Sequence, residues 1–174
     1  MSYEDDIKHR VRTTELWPDF ESSGFLDTLD ELAEESLAKN TIEGALASVL
    51  IYHQLSEEML RLLLQSAQFF IQLAIFPAEI SFPERKRQMF GHLIKEVRNT
   101  MSFTHKDEIL ELAASLNRHR IDLVHKLASR LTLDDVVSQA TAVKEIYNQL
   151  FSKFDDARDE FHVSFKDFRK DVFH

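Results

Sequence analysis

The feature that most constrains this chain is its shortage of turn-formers: three Gly and three Pro in 174 residues. Average usage would supply about twenty of the two together. After Pro83 no further Pro occurs, and Gly91 is the one Gly from there to the C-terminus. A sheet needs tight turns, and tight turns draw on those residues. The chain is therefore predicted to be all-α, a bundle of about five to seven helices. The length suits one helical domain over residues 1–174, able to bury a real core. Hydrophobic residues at 44% and charged residues at 29% exclude wholesale disorder.

Composition removes several function classes. With no Cys, thiol nucleophiles, disulfides and thiolate metal sites are excluded. The N-terminal run MSYEDDIKHR is acidic and has no apolar core, so it does not read as a signal peptide. The most apolar stretches, LASVLIY and FFIQLAIF, fall far short of the ~20 residues that span a bilayer. A cytoplasmic protein with no membrane contact is the expectation. The net charge of −9 is uneven, because residues 84–130 hold ten Lys/Arg against six Asp/Glu and half of the eight His. Such asymmetry fits an anion-binding face on an acidic body, or equally a set of solvated basic helix faces.

Periodicity and capping signals lay out the helices. The first forty residues carry eleven Asp/Glu against four Lys/Arg. They should hold a short helix before Pro18 and a second from about Asp27 to Asn40, with Leu26, Leu29, Leu32, Ala33 and Leu37 as its buried stripe. Thr41 should start a long helix reaching Phe76, where Pro77 ends it. Its apolar residues, Leu46, Val49, Leu50, Leu55, Met59, Leu62, Leu63, Phe69, Phe70 and Leu73, cover more than one face, which marks a central helix. Ser81, with Pro83 in the first turn, reads as the cap of the next helix, whose stripe is Phe90, Leu93, Ile94, Val97 and Met101. Thr104 with Asp107, and Thr132 with Asp135, read as two further N-terminal capping pairs. From Val136 to Val172 apolar residues recur every three to four positions, apart from one seven-residue step across Ala157, so the last helix should run nearly to His174. Its aromatic run, Phe151, Phe154, Phe161, Phe165 and Phe168, reads as core or dimer contact rather than a base-stacking platform.

The helix starting near His105 carries the chemistry. Its stripe is Ile109, Leu112, Ala113, Leu116, Leu123, Val124 and Leu127. At about 100° per residue, Arg120 falls in the middle of that stripe, with Asn117, Ile121 and His125 in an adjacent row. An arginine there cannot simply be exposed. It must pair with an acid such as Glu57 or Glu58 on a neighbouring helix, or point into a polar cleft or interface. This arginine, the highly apolar central helix and the aromatic-rich tail together imply surface that a second copy would cover.

The segment LNRHRIDLVH resembles the signature of the HEPN superfamily (higher eukaryotes and prokaryotes nucleotide-binding domains). Those are helical bundles in which an R-x4–6-H motif, often preceded by Leu-Asn, sits on a late helix. The resemblance covers roughly residues 41–155 as a HEPN-like core, with residues 1–40 as acidic N-terminal helices and 156–174 extending the last helix. It implies a symmetric homodimer whose paired motifs cleave single-stranded RNA without metal or other cofactor, as in ribonucleases of the toxin–antitoxin or phage-defence type. Carried over by position, Arg120 would hold the phosphate and His125 would act as base or acid. Asn117 would orient one of them and Asp122 would tune the charge, with Arg118, His119 and Lys126 as binding residues. The residue after the arginine, usually Asn, Asp or His in the family, is Ile121 here. Many members of the superfamily are non-catalytic regulators that bind a protein or nucleotide, and that reading stays open beside the enzyme.

A second match, Arg98 and His105 in RNTMSFTH, has R-x6-H spacing, with Asn99 after the arginine. The cap signal at Thr104 should break the helix between them, which favours the first match. Asp159 with His162, and Asp122 with His125, have spacing that could hold a metal, but two-ligand matches are expected by accident among thirty acids. No metal site is predicted.

Overall fold

The computed structural model describes residues 2–83, 89–127 and 132–171. They form α1 (Tyr3–Arg12), a short 3-10 turn (Thr14–Leu16), α2 (Ser23–Ala38), α3 (Ile42–Ala74), α4 (Phe90–Asn99), α5 (Lys106–Lys126) and α6 (Leu133–Asp171). Among the described residues there is no strand, and no helix is long and apolar enough to cross a membrane. The predicted all-α bundle is the observed fold.

The 33-residue α3 is the axis of the bundle, packed against α2, α4, α5 and α6. Thr41 caps it as expected, its hydroxyl accepting from the Gly44 amide at 3.1 Å. Buried residues from Ala45 to Leu73 lie on several faces, as a helix surrounded by others requires. Leu50 departs from the expected stripe and is 53% exposed, while Tyr52 and Leu60 are fully buried. Gly44 has a packing role: a Cβ there would collide with the Ser36 backbone carbonyl, so the end of α2 lies directly on the start of α3. α2 itself begins four residues earlier than predicted and turns Ala33 and Ser36 inward, leaving Leu32 exposed.

Two predicted starts need correction. Ser81 to Pro83 are not helical, and α4 begins at Phe90 after an extended Met89. Pro83 restricts the residue before it to extended backbone, so a Ser-x-Pro sequence serves a non-helical segment as well as a helix start. Residues 84–88, including Arg85, Lys86 and Arg87 of the basic stretch, lie outside the described residues, as do Arg130, Val172 and His174. Thr104 is likewise not the cap of α5. That position belongs to His105, in left-handed backbone at φ 58°. Its ring Nδ1 lies 2.8 Å from Glu108, and Lys106 Nζ donates to the carbonyls of Arg98, Thr100 and Met101, closing the end of α4.

The last capping pair is as predicted. Asp135 accepts from the Thr132 amide at 2.9 Å, and the Asp135 amide donates back to the Thr132 hydroxyl at 3.2 Å. The Thr132 amide, and then the Thr132 hydroxyl donating to the same oxygen, hold the Asp135 carboxyl below its usual range. From there α6 runs 39 residues without a break. Phe154, Ala157, Phe161 and Phe165 are all buried, so Ala157 fills the seven-residue step and the stripe is continuous. Phe165 meets Phe69 edge-on at 4.9 Å and Trp17 at 5.5 Å, tying α3 and the N-terminal segment to α6. Phe168 is partly buried on this core and Phe151 is 47% exposed.

Candidate functional site

On α5, Asn117 and Arg120 share one face, three residues apart, about 60° around the helix. That face turns toward α3, where His53 and, one turn on, Glu57 stand opposite. Arg120 is half-buried, and its Nε has no solvent contact and no hydrogen-bond partner. The Asn117 Oδ1 and the His53 Nε2 are in the same condition. Behind the imidazole lies the buried Phe90 of α4, ring centroids 4.5 Å apart.

The electrostatics follow from this placement. Burial pushes the His53 imidazole down to about 4, the positive charge of Arg120 pushes the same way, and the Asn117 amide partly opposes them. His53 is thus neutral at pH 7. Burial pushes the Glu57 carboxyl up, with Arg61 and Arg120 acting against that rise. Of the two expected acid partners, Glu57 therefore faces Arg120, but both Glu57 and Glu58 are bound by Arg61 on their own helix. Among the described residues Arg120 makes no direct salt bridge.

His125 lies on another side of α5. Five residues turn the helix by about 140°, and the ring is exposed. Ile121, one turn before it, is 38% exposed, and Val124 and Leu127, turned toward the Arg120 side, are 53% and 37% exposed. Val124 and Leu127 were expected in the buried stripe but are exposed; Leu110, outside the expected stripe, is buried near the start of α5, and the buried face ends at Leu123. Asp122 and Lys126 pair with each other at 3.4 Å on the surface. Arg118 is exposed and His119 half-buried. So the geometry brings Asn117 and Arg120 together with α3 and leaves His125, Asp122, Arg118 and Lys126 facing outward.

Arg98 and His105 sit on separate elements, one near the end of α4 and the other at the start of α5, as the helix-break argument required. His105 is engaged with Glu108 and, at 3.5 Å, with Asp156 of α6. Sequence reasoning missed His53. Its signal was a polar ring inside the apolar run of α3, four residues before Glu57 and so on the same face. Among the described residues no three His or carboxylates lie close enough to hold a metal. In comparisons with family models, curated proteins and solved structures, nothing matches this chain.

Proposed function

We propose that this protein is a HEPN-like, metal-independent endoribonuclease that acts as a symmetric dimer through Arg120 and His125. One observation carries the reading. The exposed His125 stands at one edge of a strip of exposed apolar residues, Ile121, Val124 and Leu127, that runs round α5 toward the side of the half-buried Arg120. An exposed apolar strip leading from the histidine toward the arginine is surface that a second copy would cover, setting two histidines into one cleft. The chemistry is then transfer within the RNA strand. His125 takes the ribose 2′-hydroxyl proton, and the 2′-oxygen attacks the adjacent phosphorus. The bond to the 5′-oxygen breaks as that oxygen receives a proton from the protonated His125 of the partner subunit, leaving a cyclic phosphate. Arg120 supplies permanent positive charge to the phosphoryl oxygens.

A second reading rests on a different observation: the charge of Arg120 acts on His53 and Glu57 rather than toward His125. In that case the scaffold is a non-catalytic regulatory module that binds a protein or nucleotide, and Arg120 is structural. Purified protein incubated with labelled single-stranded RNA in EDTA separates the two. Cleavage by wild type that both His125→Ala and Arg120→Ala abolish establishes the enzyme. Intact RNA with wild type, or equal cleavage by the variants, establishes the module. A stability loss on Arg120→Ala in thermal melts, with no cleavage by wild type, would mark the arginine as structural.

A further inference from the structure

His53 on α3 and Asn117 and Arg120 on α5 act on one another across the helix junction, the Asn117 side chain on the imidazole as a hydrogen-bonding group. Yet His53 Nε2, Asn117 Oδ1 and Arg120 Nε are each buried without a partner at full hydrogen-bond geometry. Buried polar atoms in folded proteins are almost always paired, so three orphans at one junction call for an explanation. Their chemistry is complementary. The guanidinium Nε carries a hydrogen to donate, the amide oxygen accepts, and a neutral imidazole does one at each nitrogen. The other α3 group near the arginine, Glu57, is already bound by Arg61. Phe90, 4% exposed and 4.5 Å from the imidazole centroid, backs the ring from α4 and limits where it can go.

We infer that His53 is a positioning residue for Arg120: its Nε2 accepts the Arg120 Nε–H while Asn117 flanks the pair, so the arginine is aimed from α3 as well as from α5. This rests on the ribonuclease reading for its catalytic consequence, but not for the contact itself. The working unit is then His53, Asn117 and Arg120 across two helices, with Phe90 as backstop. With Nε–H held inward, the far nitrogens of the guanidinium are the ones left to meet a phosphate. A fork held at one end loses less freedom on binding than a free side chain. Displacing such a group by about 1 Å costs on the order of 100-fold in rate.

The test uses the full chain with His53→Phe, which keeps a ring against Phe90 but cannot accept a hydrogen bond, and His53→Gln, which can. Two readouts are taken. One is kcat and KM on a fluorescent single-stranded oligoribonucleotide in EDTA. The other is the Nε–H resonance of Arg120 by NMR, assigned through its loss in Arg120→Lys. His53→Phe should lower kcat on the order of 100-fold with KM little changed, and His53→Gln should recover most of it. The Arg120 Nε–H should be protected from solvent exchange in wild type and His53→Gln and exposed in His53→Phe. An unchanged Nε–H resonance in a folded His53→Phe protein overturns the inference, as does a His53→Gln variant that exposes it equally. If wild type leaves RNA intact, the ribonuclease reading fails alone, and the resonance still decides the contact. Should His53→Phe not fold, the 15N shift of His53 Nε2 takes its place: a change on Arg120→Lys supports the contact, and no change refutes it.

Discussion

Acid should unfold this protein earlier than its exposed carboxylates alone would require, and His53 is the reason. Its imidazole is pushed from 6.5 down to about 4 by burial and then by Arg120. A group whose folded value lies below its unfolded value binds the proton more readily in the unfolded chain. Stability is therefore unaffected by this ring above the ordinary imidazole range. It falls as pH drops through 6.5, and goes on falling to about 4, below which the loss is complete. Integrated from pH 7 to pH 5, the full shift corresponds to about 2 kcal/mol. The ring is only partly enclosed, and solvent screening reduces this to about 1–2 kcal/mol. For a chain of this size that is a drop in Tm of about 3–6 °C. Asp30 and Glu57, whose carboxyls burial pushes up, act in the opposite direction and would mask the effect in a simple pH series. The comparison to make is thus wild type against His53→Gln, which is neutral at every pH and keeps those carboxylates. Thermal melts by circular dichroism at pH 7 and pH 5 should show wild type losing more than the variant by that margin. Parallel pH dependences in the two proteins would refute the placement of a neutral His53 beside Arg120.

Gly44→Ala should destabilise the fold by about 1–3 kcal/mol in urea titration, because the new Cβ meets the Ser36 backbone carbonyl, which cannot rotate away. Thr132→Ala removes the hydroxyl that accepts from the Asp135 amide and donates to its carboxylate, and should cost about 1 kcal/mol in the same assay. Val124→Glu changes a residue that is 53% exposed, so the monomer should keep its Tm. If the exposed apolar strip between His125 and Arg120 is the dimer surface, sedimentation should show wild type as a dimer and this variant as a monomer.

Much of the fold was legible in the sequence because helix signals are local. The Thr132 and Asp135 pair, the Thr41 cap and the long last helix depend on residues within one or two turns of each other, and all three are as the spacing indicated. Thr104 misled for an equally local reason. A Thr-x-x-Asp sequence offers a cap, but the chain enters α5 through a left-handed His105 whose ring meets Glu108, and Lys106 closes the helix before it. A sequence pattern cannot weigh those two closures against each other. At the site the limit is of another kind. Periodicity was enough to show that Arg120 cannot be simply exposed. What it points at depends on which turn of α3 lies across from it, and that register is set by packing between elements far apart in the chain. This is why Glu57 could be named as one of two neighbours while His53 went unseen. It also shows why an R-x4-H spacing is not in itself a site. On one straight helix the two side chains diverge by about 140°, so a single copy cannot close them on one phosphate from the same side. The motif becomes a site only if something else supplies the missing wall: α3 behind Arg120, which the fold provides, and a second molecule in front of His125, which the exposed apolar strip beside it would admit.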